Sequence, residues 1–176
     1  MRLYDLRTEY RVNPVGLTAE APRFSWKMES QEKDTLQTAY EIHVADENGK
    51  LVWNSGKKVS DQSVLIPYEG EALVSETMYT VQVSVADNHG NTESVEGTFE
   101  TGIFDNTEFK AQMITGDFPE EETACPVFGK TFALDKKVKK ARLYATAHGV
   151  YEATLNGLPY GTGLDKLSQP SSVSDL

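Results

Sequence analysis

Between Thr77 and Ala86 the residues Tyr79, Val81, Val83 and Val85 all fall on one parity. A period of two over ten residues is the mark of an extended strand with one buried face, and it excludes an amphipathic helix. Asp87-Asn88-His89-Gly90 then turns the chain back, and Ser94 to Phe99 reads as the partner strand. The same grammar recurs upstream. Phe24 and Trp26 share a face in Pro22–Met28, and Tyr40, Ile42 and Val44 oppose Glu41 and His43 in Thr38–Ala45. Leu51–Trp53 follows the turn Asp46-Glu47-Asn48-Gly49, and Ser63–Ile66 is halted by Pro67. No stretch sustains the i, i+3, i+4 apolar spacing of a core helix, so the chain is expected to be all-β. Short strands at this spacing predict a β-sandwich.

The chain has 176 residues, 39% of them hydrophobic and 25% charged, which is the composition of a folded globular protein. Two small domains suit that length. The apolar runs fall far short of the roughly 20 residues a membrane helix needs, and no apolar block follows the N-terminal MRLYDLRTEYR, so neither a membrane span nor a targeting segment is expected. A net charge of −10 repels phosphate backbones and argues against a nucleic-acid partner. Cys125 is the one cysteine. It is compatible with a reducing cytoplasm and equally with a periplasm, and beside Pro126 it reads as a partly buried thiol, not a nucleophile.

The order Leu73, Thr77, Tyr79, Val81, Val83, Gly90 and Phe99-Glu100-Thr101 resembles the fibronectin type III pattern. That resemblance implies that Trp26 and Tyr40 are core residues. It also implies that Tyr79 is a tyrosine-corner residue, its hydroxyl bonded to backbone a few residues upstream.

A more specific string runs Asn13-Pro14-Val15-Gly16-Leu17, Pro22-Arg23-Phe24-Ser25-Trp26, Gln37-Thr38-Ala39-Tyr40-Glu41-Ile42 and Trp53-Asn54-Ser55-Gly56-Lys57. In order and spacing it is similar to the N-terminal region of bacterial α-L-rhamnosidases of glycoside hydrolase family 78. Pro126 through Phe132, then Ala141 through Tyr144, Gly149, Tyr151 and Leu155-Asn156-Gly157, resemble the start of the β-sandwich that follows in that family. The resemblance implies a multidomain enzyme that removes terminal α-linked L-rhamnose with inversion, its carboxylates on a C-terminal (α/α)6 barrel. Nothing in this chain corresponds to that barrel.

Three segments are therefore expected: a fibronectin type III-like, immunoglobulin-like sandwich over 1–103, a partial jelly-roll-like β-sandwich over 104–160, and a polar, disordered tail over 161–176. In the second segment Ala141, Leu143, Ala145 and Ala147 alternate with Arg142, Tyr144, Thr146 and His148. Gly149 breaks the run, Val150–Leu155 starts another strand, and Asn156-Gly157 turns toward a third. An open sheet with one apolar face needs a cover. This segment is thus expected to pack on the first sandwich, to pair with a second copy through its open edges, or to be marginally stable.

Inverting hydrolysis requires two carboxyl groups roughly 6.5–9.5 Å apart. The run Glu120-Glu121-Glu122 offers only adjacent, solvated charges, so no residue of this chain is assigned a catalytic role. His43, His89 and His148 lack metal-ligand spacing, Asp46–Gly49 lacks the ligand pattern of a calcium loop, and Lys136–Lys140 reads as a solvated strand entry. No metal or cofactor is expected. The remaining candidate is a sugar platform of Tyr144, Tyr151, Asn156 and Tyr160, since sugars pack their apolar faces on aromatic rings while amides take the hydroxyls. Tyr144, on the polar parity, is expected to be its most exposed member, and Tyr151 is expected to lie with a buried Leu155. The chain thus reads as an N-terminal accessory fragment that is inactive alone and whose partner is a downstream catalytic domain. The alternative is a free-standing module that binds carbohydrate or a protein.

Overall fold

The computed structural model describes residues 1–119, 125–138, 140–162 and 171–172. Backbone contacts divide the chain into two units, Met1–Asn106 and Thr107–Leu176.

The first unit contains strands β1 (Arg2–Thr8), β2 (Arg23–Glu29), β3 (Gln37–Asp46), β4 (Leu51–Asn54), β5 (Lys58–Val59), β6 (Ile66–Pro67), β7 (Met78–Asp87) and β8 (Thr92–Glu100). They form two antiparallel sheets, β1-β2-β6 and β4-β3-β7-β8, with β5 also paired to β3. The alternation read in the sequence sets the inward faces. Val81, Val83 and Val85 from β7 and Ile42 and Val44 from β3 are wholly buried, and so is Phe24 of β2. Ring contacts knit the layers: Phe24 meets Trp53 at 6.1 Å and Phe99 at 6.0 Å between centroids, and Trp26 meets Tyr40 edge-on at 5.4 Å. Offset and edge-on pairs at these separations add to the area that each ring buries.

Strand β1 does not follow the simple period. Leu3 and Leu6 are three residues apart, which would place them on opposite faces, yet both are buried. The register shifts between Tyr4 and Arg7, and Asp5 takes φ 52°, so an extra residue in the strand returns Leu6 to the core. The expected strand Ser63–Ile66 is shorter than predicted and displaced: β6 includes Pro67 as its last residue, and Leu65 adopts φ 54°. Pro67 fits because it lies on the last strand of its sheet, where no further partner needs its missing N–H.

The motif Asn13–Leu17 runs along the outer edge of β8. Glu100 N–H donates to Pro14 O (2.9 Å), Leu17 N–H donates to Glu100 O (2.9 Å) and Gly102 N–H donates to Leu17 O (2.7 Å). The Asn13 side chain accepts from Thr98 N–H at 3.0 Å. This strap covers one half of a sheet edge that would otherwise be open.

A 3-10 turn at Asn106–Glu108 spans the division, and the second unit contains strands β9 (Tyr144–Ala145), β10 (Glu152–Leu155), β11 (Leu158–Thr162) and β12 (Ser171–Ser172). β10 and β11 form a hairpin around Asn156-Gly157, and β12 pairs antiparallel with β9. The strand expected through Ala141–His148 contracts to Tyr144–Ala145, and its predicted parity is not observed: Leu143 is exposed and Tyr144 is half-buried. Between Thr107 and Leu158 no described residue is buried. Alternation alone does not bury a face, and Leu143 remains 45% exposed.

Candidate functional site

Residues that carry the family resemblance in the first unit hold the sandwich together. Arg23 grips Glu9 with Nε and Nη2 at 3.0 and 2.6 Å, and the Arg23 backbone N–H also donates to the same carboxylate at 2.9 Å. Those bonds hold the Glu9 carboxyl below the usual carboxylate range despite partial burial. They secure a turn in which Glu9 (φ 53°) and Tyr10 (φ 135°) both take positive φ, and the Arg23 guanidinium stands 5.6 Å from the Tyr10 ring centroid. Ser25 Oγ accepts from Leu65 N–H at 2.9 Å. Trp26 Nε1–H donates to the buried Gln37 side chain at 3.0 Å, whose amide in turn donates to Ser60 O and Gln62 O. In Trp53–Lys57, Ser55 Oγ accepts from Ile42 N–H at 2.8 Å and Asn54 Oδ1 accepts from Gly56 N–H at 2.6 Å, where Gly56 needs φ 62°.

The expected tyrosine corner is present. Tyr79 is buried and its hydroxyl accepts from Val74 N–H, five residues upstream, at 2.9 Å. Beneath it Thr101 Oγ1 donates to Val74 O at 2.6 Å and accepts from Thr77 N–H at 2.9 Å. Tyr68 closes the other end of this loop by donating to Glu71 O at 2.7 Å, and burial pushes its phenol up to about 12, so it remains a neutral donor.

The histidines and acids of the first unit's strands and turns bond to their own neighbours. His43 Nε2 sits 3.0 Å from Glu41 Oε1 on the outer face of β3, and His89 lies in the β7–β8 turn with Nδ1 3.5 Å from Glu32. His148 is exposed. Asp87 is buried, which alone would raise its carboxyl. The Asn91 amide, the Asn91 backbone and the His89 backbone donate to it and bring it below its ordinary value. This is the bonding of a turn, not of a catalytic acid. Asp46 plays the same part in its turn, accepting from Asn48 N–H and Lys50 N–H at 2.9 Å each. Among the described residues no three His, Cys, Asp or Glu side chains group as metal ligands. Glu120-Glu121-Glu122 and Lys139 lie outside the described residues. Cys125, expected to be partly buried, is exposed.

The four sugar-platform candidates all fall in the second unit. Tyr144 lies in β9, half-buried and not the most exposed member. Tyr151, also half-buried, donates its hydroxyl to Ala145 O at 3.4 Å, which brings it beside β9. Leu155 is half-buried, not buried as expected. Asn156 occupies the β10–β11 turn with φ 52°, and Tyr160 lies in β11, its side chain outside the described residues. Sequence reasoning did not single out the Glu9–Arg23 lock. Its signal is a charge pair fourteen residues apart, which local periodicity does not register.

A family profile described as the Rha78A-like N-terminal immunoglobulin domain matches residues 3–105. An α-L-rhamnosidase of Streptomyces avermitilis is 33% identical over 89% of this chain, and one of Formosa agariphila is 35% identical over 82%. The solved α-L-rhamnosidase of Dictyoglumus thermophilum is 34% identical with a TM-score of 0.78 and covers 90% of this chain. The chain spans 18% and 17% of the first two proteins and 20% of the third. The Streptomyces avermitilis enzyme solved with L-rhamnose is 28% identical, with a TM-score of 0.63, and this chain covers 20% of it. Sequence and structure agree: the chain belongs to the Rha78A-like family, through its N-terminal immunoglobulin domain.

Proposed function

We propose that this chain is a non-catalytic, N-terminal accessory part of an α-L-rhamnosidase, working with a downstream catalytic domain. One observation carries the reading. The motif residues that tie the first unit to the family (Asn13, Arg23, Trp26, Gln37, Ser55) spend their polar groups on the sandwich's own backbone and side chains. Residues that make a fold stable supply a scaffold, and the chain spans about a fifth of its relatives' length, which supports the reading that hydrolysis is the work of another part. The test is direct. The 176-residue chain, incubated with a chromogenic α-L-rhamnoside at high enzyme concentration, should release no chromophore above a heat-inactivated sample, and steady release would overturn the reading.

A carbohydrate-binding role for Tyr144, Tyr151, Asn156 and Tyr160 is the second proposal. It is favoured by the approach of Tyr151 to β9 and by the relative solved with L-rhamnose. Calorimetry with millimolar L-rhamnose should show saturable heat that the Tyr144→Ala substitution removes. Absence of heat would discard the platform and leave the scaffold reading intact.

A further inference from the structure

The chain contains two Asn-Gly pairs, Asn48-Gly49 and Asn156-Gly157, and both occupy turns between strands. An asparagine before glycine is open to one spontaneous reaction. The glycine backbone nitrogen attacks the asparagine Cγ, a C–N bond forms, the bond to the side-chain nitrogen breaks, and ammonia leaves with the proton. Water then opens the cyclic imide at either carbonyl, giving aspartate or isoaspartate. Glycine permits the approach because it has no Cβ. A Cβ built at Gly49 or at Gly157 meets nothing within 4 Å, so sterics do not separate the two sites.

Hydrogen bonding does. At the first pair Gly49 N–H, the would-be nucleophile, donates to Asp46 O at 2.9 Å. Asn48 N–H and Lys50 N–H both donate to Asp46 Oδ1, and Asp46 N–H donates to Lys50 O, so the whole turn is clamped. At the second pair Gly157 N–H donates no hydrogen bond among the described residues, and the Asn156 amide has no partner among them either. Asn156 and Gly157 are exposed, and the inward residues of β10, Ala153 and Leu155, are only half-buried. Segments with few buried contacts open locally at low cost, and opening lets the attacking geometry form.

We propose that Asn156 is a deamidation site, converting to aspartate and isoaspartate while Asn48 is protected by the Asp46 clamp. Conversion places a carboxylate at the tip of the β10–β11 hairpin, and isoaspartate adds a methylene to the main chain there.

Peptide mapping by mass spectrometry after timed incubation of the full chain in mildly alkaline buffer tests this. One net hydrogen bond corresponds to roughly two- to tenfold in an equilibrium, and several act at Asp46, so Asn156 should convert about tenfold faster than Asn48, or more. In urea the two should convert at similar rates. The Asp46→Ala variant should raise the Asn48 rate toward that of Asn156. Equal or faster conversion of Asn48 in the native chain would overturn the proposal. So would an Asn156 that stays intact in the native chain while converting in urea. An Asn48 rate unmoved by Asp46→Ala would overturn the role given to the clamp.

Discussion

Replacing Tyr79 by phenylalanine isolates one bond in the first unit. The ring of Tyr79 is 2% exposed and stacks on Phe99 at 5.1 Å and 18°. Phenylalanine keeps that ring and its buried area, so hydrophobic burial is unchanged and the loss falls on the hydroxyl. That hydroxyl accepts Val74 N–H at 2.9 Å, and its removal strands a partly buried backbone donor. An orphaned donor of this kind costs about 1–2 kcal/mol. For a unit of roughly 100 residues that corresponds to a fall in Tm of about 4–15 °C. Urea titration followed by the fluorescence of Trp26 and Trp53, both in the core, should show a lower midpoint at constant slope. Thr101→Val removes the Oγ1 contacts with Val74 O, Thr77 O and Thr77 N–H in the same loop, so the two substitutions meet at one peptide segment and should be non-additive in a double-mutant cycle. A loss below about 0.5 kcal/mol for Tyr79→Phe would mean that water or a shifted loop satisfies Val74, and the corner would then not hold this loop. A changed slope would mean that the substitution alters the unfolded ensemble instead.

Two further perturbations follow from the same unit. Glu9 is held below the usual carboxylate range by Arg23, so its contribution is present at neutral pH and is lost as pH falls through the ordinary glutamate range and then through the folded value. Glu9→Gln should therefore be less stable than the wild type at pH 7 and nearly equal to it once the carboxylate is protonated. Parallel acid-titration curves for the two proteins would refute the assignment. Gly102 faces the strap: a Cβ there would lie 3.1 Å from Gly16 O and 3.2 Å from Gly16 C, both backbone atoms. Gly102→Ala should push the strap back by a few tenths of an ångström and, because the Gly16 backbone is held by its neighbours' bonds to β8, cost about 1 kcal/mol or more. Unaltered thermal stability, or unaltered amide exchange at Glu100 and Leu17, would count against it.

What the sequence disclosed depended on how local each determinant is. β3 and β7 are readable because their apolar parity is sustained, from Tyr40 to Val44 in the one and through all ten residues of the other, and the tyrosine corner because the Tyr79 hydroxyl and the Val74 N–H that donates to it lie five residues apart. β1 was not readable. Its bulge at Asp5 converts a spacing of three into a buried pair, and nothing in RLYDLRT announces the extra residue. The Asn13–Leu17 motif was visible as a signature, while its role depended on β8, more than eighty residues away. In the sugar platform Asn156 was legible as a turn residue. The exposure of Tyr144 was misread because parity assigns faces only after something decides which face is covered.

That last failure separates the two units. In the first, the apolar parities of β2, β3, β7 and β8 meet in one buried core, and polar groups such as Gln37, Asp87 and Thr101 find partners inside the same 106 residues. Pattern and packing agree there, the consistency expected of a sequence that specifies a fold unaided. In the second unit Phe128, Phe132, Leu143 and Val150 carry the residue types of a core and remain exposed. Each such side chain is worth about 1.5–3 kcal/mol once buried, a stabilisation that these four do not realise while exposed. The family signature of the second unit thus includes exposed apolar residues, whereas that of the first, with Arg23, Trp26 and Gln37, belongs to a domain that satisfies its own bonds. The scaffold reading rests on the latter, and for that reason it concerns the first unit more firmly than it concerns the platform tyrosines.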